Sequence, residues 1–144
     1  MSSLPRILLV EDNPGDVDLT LKALRSGKLE NSVSVAMDGE DAMAYLRREG
    51  GHTNAVRPDL VLLDLNLPKM EGREVLSAIK SDSTLRNIPV VVLTSSDEER
   101  DIVASYRLGV NSYIRKPVNF NEFAEATRQL GMYWLLLNEC PPKG

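Results

Sequence analysis

Leu60-Val61-Leu62-Leu63 is an apolar run with no polar interruption, and it leads straight into Asp64. A strand with one wet face alternates apolar and polar side chains, whereas a strand covered on both faces does not. The run therefore predicts a buried strand of a parallel sheet with a carboxylate at its carboxyl end. Ile7-Leu-Leu-Val10 and Val90-Val-Val-Leu93 have the same character. Val33–Met37 and Val110–Ile114 alternate more, which predicts strands nearer the sheet edges.

Segments with helical spacing separate these runs. The first has Asn13 as N-cap, Pro14 at the first helical position and Asp16 in the first turn, then Val17, Leu21 and Leu24 along one face. Ala42, Met43 and Leu46 mark a second helix ending at Gly50-Gly51, and Val75, Leu76 and Ile79 mark a third. After the fourth strand, Asp97-Glu98-Glu99 opens a helix that carries Ile102, Val103 and Tyr106 and stops at Gly109. A last helix is expected from Asn121 to Leu137. Five strand–helix alternations predict an α/β layered fold with a parallel sheet. Right-handed crossovers leave few arrangements, of which the flavodoxin-like (βα)5 order 2-1-3-4-5 is a common one. Ligands of such sheets gather beyond the carboxyl ends of the strands.

Composition narrows the function classes. The chain has 144 residues, with 17 Lys+Arg against 21 Asp+Glu and a formal charge of −4. That length predicts one domain over residues 1–144, with no fused output domain and a core that needs no staples. A single cysteine, Cys140, excludes an internal disulfide framework and suits a reducing compartment, the cytoplasm. The N-terminus has no charged-then-apolar signal, and Met132 to Leu137 is the longest apolar run, far below the ~20 residues of a membrane span. Mild acidity argues against direct binding of nucleic acid, whose phosphates demand a basic face. Residues 50–58 read as an extended surface loop.

On the expected fold, residues far apart in sequence converge at one sheet edge. Glu11 and Asp12 follow the first strand, Asp64 the third, Thr94 the fourth and Lys116 the fifth. Three carboxylates together raise each other's pKa unless a cation intervenes, and an all-oxygen set with room for water and phosphate suits Mg2+. A hydroxyl from Thr94 and an ammonium from Lys116 are what phosphoryl oxygens require, and a carboxylate nucleophile there gives an aspartyl-phosphate. Each residue taken singly has a plainer reading: helix capping for Glu11-Asp12 and Thr94, a turn for Asp64, a solvated lysine for Lys116. Jointly those readings are improbable.

These stretches resemble response-regulator receiver domains of two-component signalling, over essentially the whole chain. The resemblance rests on Ile7-Leu-Leu-Val-Glu-Asp-Asn13, Leu62-Leu-Asp-Leu-Asn-Leu-Pro-Lys-Met-Glu-Gly72, Val90-Val-Val-Leu-Thr-Ser95 and Asn111-Ser-Tyr-Ile-Arg-Lys-Pro117. It implies that Asp64 is the phosphoacceptor and that Asp12 binds Mg2+ directly. Glu11 would help through water, and Asn66 would lend its backbone carbonyl. Thr94 and Lys116 would hold phosphoryl oxygens and Tyr113 would be the switch aromatic; receiver domains often hold the Lys-Pro bond cis, and the sequence leaves the isomer of Lys116–Pro117 open. Glu11 departs mildly from the commoner Asp-Asp pair. The opening Glu11–Thr20, the long loop before the third strand and the terminal Phe120-Asn-Glu-Phe…Tyr-Trp134 segment resemble the stand-alone receivers that serve bacterial and cyanobacterial phytochromes. The implied partner is a phytochrome-type sensor histidine kinase, with an unidentified downstream protein.

Phe123, Thr127, Leu130, Trp134 and Leu137 form one stripe of the expected last helix, which leaves Met132, Leu135 and Leu136 on another face. That second face has two readings, cover by the C-terminal tail or, preferred, an exposed apolar patch that supports a two-fold homodimer. His52, the sole histidine, lies in a loop and does not suit a phosphate relay, so the phosphoryl donor is a separate protein. Three other readings compete. An aspartyl-phosphate phosphohydrolase needs a second Asp where Asn66 stands. A flavin carrier would not place Glu11-Asp12 in its phosphate loop. A receiver-like module that works without phosphorylation usually loses an acid or the lysine.

Overall fold

The computed structural model describes residues 5–27, 32–65, 67, 70–95, 109–110 and 112–137. Five strands, β1 (Ile7–Val10), β2 (Val33–Ala36), β3 (Leu60–Asp64), β4 (Val90–Thr94) and β5 (Ser112–Arg115), form one parallel sheet in the order β2-β1-β3-β4-β5. The continuous runs β1, β3 and β4 occupy the centre and are buried at every position, while the alternating runs lie at the edges.

Helices α1 (Pro14–Arg25), α2 (Gly39–Arg47), α3 (Gly72–Ser81) and α4 (Phe120–Gln129) cover the sheet on both faces. On one face, Ala42, Met43 and Leu46 of α2 and Val75, Leu76 and Ile79 of α3 pack on Leu8, Val10, Val61, Leu63, Val90 and Val92. On the other, Leu24 of α1 and Phe123 and Ala126 of α4 pack on Ile7, Leu9, Leu60, Leu62, Val91 and Leu93. Successive strand residues thus serve opposite layers, which is why these strands tolerate no polar interruption. The N-caps follow the sequence. Asn13, Asp38 and Asn119 each accept a hydrogen bond from the amide three residues on. The helix expected from Asp97 to Gly109 falls almost wholly outside the described residues, as do Asn66 and Cys140.

Two helix ends differ from the sequence expectation, and both differences have a backbone cause. The last helix stops at Gln129 instead of Leu137. Gly131, at φ +70°, donates its amide to Arg128, and Met132 donates to Thr127 at 2.8 Å. This is the Schellman arrangement, in which a left-handed residue ends the helix and turns the chain. Tyr133–Leu137 then forms a 3-10 turn. The reversal carries Met132 (6% exposed) and Leu135 (0%) into the core beside Phe123 and Ile114. Met132 and Leu135 are therefore core residues and not an exposed interface, and Leu136 is half-buried against the same core. Helix α2 ends likewise, three residues before Gly50: Arg48 adopts φ 57°, its amide bonds Tyr45 and that of Glu49 bonds Ala44. Gly50–His52 is a separate 3-10 turn at the start of the 50–58 loop.

Candidate functional site

Parallel pairing fixes the site. Val10 is level with Leu63, so Glu11 and Asp12 emerge beside Asp64, and Asp64 is level with Leu93, so Thr94 lies one residue further along the neighbouring strand. The Lys116 amide donates to the Thr94 carbonyl at 2.8 Å, which extends the β4–β5 ladder to the lysine. The Lys116–Pro117 bond is cis. Glu11 (1% exposed), Asp64 (2%) and Thr94 (0%) are buried, unlike most polar residues.

Oxygens of Glu11, Asp12 and Asp64 all lie within 4.8 Å of one another. The Lys116 ammonium lies 3.2 Å from Glu11 Oε2, 3.3 Å from Asp64 Oδ1 and 3.1 Å from Asp16 Oδ2. Burial, aided by the neighbouring Asp64 carboxylate, pushes the Glu11 carboxyl from 4.5 up to about 7, against the opposing pull of Lys116. Burial alone would lower the Lys116 pKa, but the Asp64 and Glu11 carboxylates outweigh it and raise it above the usual lysine value. Lys116 is fully charged at neutral pH.

The donor set fits a hard divalent cation. Three carboxylates converge, one of them holds its proton to an unusually high pH without a cation, and no soft ligand is among them. Tyr113 is half-buried on β5, packed against the α2–α3 layer. The structure thus brings together Glu11, Asp12, Asp64 and Lys116, with Thr94 on the adjacent strand end. Asn66 lies outside the described residues.

Two contributors escaped the sequence reading. Asp16 appeared only as a first-turn acid, yet it is a third carboxylate on Lys116, and no sequence signal marks that role. Gly72 is the other. A Cβ there would meet the Asp64 carbonyl and the Leu65 backbone, and its amide donates to the Leu65 carbonyl at 3.1 Å. Only glycine lets the start of α3 approach the acceptor loop so closely.

The response regulator receiver domain family matches residues 7–128. The chain is a response-regulator receiver. It is 44% identical over 129 residues to response regulator Rcp1 of Synechocystis sp., covering 90% of this chain and 88% of that one. Among solved structures it is similar to the bacteriophytochrome response regulator AtBRR, with 54% identity and a TM-score of 0.88 over 95% of this chain and 99% of that one. It is similar also to the phosphorylated cyanobacterial phytochrome response regulator RcpA, with 50% identity and a TM-score of 0.75 over 92% and 95%. Rcp1 has been solved with Mn2+ bound, at a TM-score of 0.73 and 40% identity over 96% of this chain and 100% of that one. The receiver is a signalling phosphoacceptor with the flavodoxin-like fold. The acid pair, the acceptor and the lysine are all present, so a phosphorylation-independent module is not favoured. Among the described residues, no helix is long and apolar enough to cross a membrane.

Proposed function

We propose that this receiver works as a single-domain response regulator, accepting a phosphoryl group on Asp64 from a phytochrome-type histidine kinase in the cytoplasm. The observation that carries the reading is the buried Asp64 carboxylate held between the Glu11–Asp12 pair and the Lys116 ammonium. The kinase class is supported by the regulators that the chain resembles over nearly its whole length.

Asp12, Glu11 and Asp64, with the Asn66 carbonyl, would hold Mg2+, which supplies charge neutralisation for phosphoryl oxygens. An Asp64 carboxylate oxygen attacks the phosphorus of a phosphohistidine. The new O–P bond forms as the N–P bond breaks, and the departing imidazole nitrogen keeps the electron pair. Lys116 and Thr94 offer an ammonium and a hydroxyl to the transferred oxygens. Water later cleaves the acyl phosphate, restoring the carboxylate and releasing inorganic phosphate, so the chain catalyses only its own turnover. Phosphorylation adds about −1.5 to −2 charges at Asp64. Drawing Thr94 and Lys116 toward that charge biases Tyr113 inward and alters the β5 face offered to a downstream protein.

A homodimer retains a smaller basis than the sequence implied. Leu137 is 59% exposed, and half-buried Trp134 and Leu136 lie beside it. Sedimentation of the phosphorylated and unphosphorylated chain tests this, and monomer in both states excludes it. The kinase assignment is tested by mixing the chain with an autophosphorylated phytochrome kinase. Label moves to wild type and not to Asp64→Asn. Label that stays on the kinase, although acetyl phosphate labels Asp64, removes the phytochrome partner alone.

A further inference from the structure

At the sheet edge opposite Asp64 lies a cleft of about 310 Å³, lined by Leu46, Arg47, Arg48, Arg57, Thr84 and Leu85. Its walls come from the end of α2 and from the loops that lead into β3 and β4. Three of its residues are arginines, none is a carboxylate, and the chain as a whole is acidic. Arg57 reaches across to donate from Nη1 to the Thr84 carbonyl at 2.6 Å, which fixes its guanidinium at the wall. Among the described residues, none of the three is in an ion pair. Asp82, outside the lining, acts electrostatically on Arg47, while its Oδ1 already accepts from the Thr84 amide and hydroxyl.

A cation at the end of a helix has a plain role, since it complements the partial negative charge of the last carbonyls. That role does not account for Arg48. The Ala44 and Tyr45 carbonyls are already taken by the Glu49 and Arg48 amides, and Arg57 comes from another segment. Moreover, Arg48 is the only described residue other than glycine at positive φ. It holds the left-handed position of a Schellman turn, which Gly131 holds at the end of α4. Glycine suits that backbone better than arginine does, so local propensity does not explain the side chain. What arginine adds is a third guanidinium at the cleft.

We propose that this cleft binds a small organic phosphate ester through Arg47, Arg48 and Arg57. A phosphate ester carries close to two charges at neutral pH and presents several oxygens to forked guanidinium donors, a better match to three arginines than one carboxylate. The cleft is at the small end of ligand sites, about 300–1,000 Å³, yet larger than inorganic phosphate requires, and Leu46 and Leu85 supply an apolar wall for the organic part.

The test is an amide-resolved NMR titration of the full chain, without Mg2+, using AMP, inorganic phosphate and acetate at matched ionic strength. AMP is expected to saturate with a Kd below about 1 mM, moving Arg47, Arg48, Arg57, Thr84 and Leu85, with phosphate weaker and acetate inert. Arg48→Gly is expected to raise the melting temperature while weakening AMP roughly fivefold or more. Arg57→Gln is expected to weaken AMP in the same way, and Asp64→Asn to leave it unchanged. The proposal is overturned by shifts that do not saturate, by phosphate binding as tightly as AMP, by shifts confined to the Lys116 edge, or by unchanged affinity in Arg48→Gly.

Discussion

Glu11 holds its proton in the metal-free protein because burial and the adjacent Asp64 carboxylate both disfavour a second negative charge. The folded chain therefore binds more protons than the unfolded chain between 4.5 and about 7. Linkage gives the sign: without metal, stability falls as pH rises through that window. A cation at this site must displace the same proton. Mg2+ affinity should accordingly rise about tenfold per pH unit below 7 and level off above it, measured by calorimetry across pH. Glu11→Gln should flatten that dependence, and an unchanged slope in the variant would refute the assignment. Lys116 acts in the opposite sense, since its ammonium faces Glu11, Asp16 and Asp64. Removing it in Lys116→Met leaves the buried Glu11 and Asp64 carboxyls unpaired, at a cost of about 3–5 kcal/mol. The thermal shift on adding Mg2+ should grow, because the metal then supplies the only cation.

Helix ends and close approaches decide what the elements present. The start of α3 touches the acceptor loop through Gly72, so Gly72→Ala must push the Asp64–Leu65 backbone aside. A loss of about 1–3 kcal/mol is expected, together with slower phosphorylation. An alanine variant with wild-type melting and labelling would show that the contact is dispensable. Leu135 gives the complementary test at the last turn of the described residues. It is fully buried under α4, so Leu135→Ala should cost about 2–5 kcal/mol and leave the sedimentation coefficient unchanged. An interface role would do the reverse. These elements also mark where the sequence was legible. Continuous against alternating runs separated central from edge strands, because coverage on two faces excludes polar side chains from every position. The Asn13 cap and Pro14 start were readable for a similarly local reason. The end of α4 was not, because the apolar spacing of Phe123, Thr127, Leu130 and Trp134 continues through Gly131. A left-handed glycine outweighed that periodicity. Arg48 was harder still, since nothing in its residue type signals a left-handed turn.

Across the whole molecule the sheet separates two chemistries. Its carboxyl edge gathers Glu11, Asp12, Asp64, Thr94 and Lys116, and its amino edge gathers the three cleft arginines. The convergence at the carboxyl edge was legible from sequence because strand order places each strand end beside the next. Asp16 was not, since its distance to Lys116 depends on how α1 leans on the sheet. The layers on either face draw on alternate residues of the same strand. Tyr113 packs with the α2–α3 layer while its neighbour Ile114 packs with α1 and α4. Asp64 as the acceptor is tested most directly by intact mass after incubation with acetyl phosphate, with and without Mg2+, on wild type and Asp64→Asn. The prediction is one added phosphoryl group on wild type, dependent on Mg2+ and absent from the variant. Wild type that gains none and also fails to bind beryllofluoride, or a variant that gains as much, would contradict it.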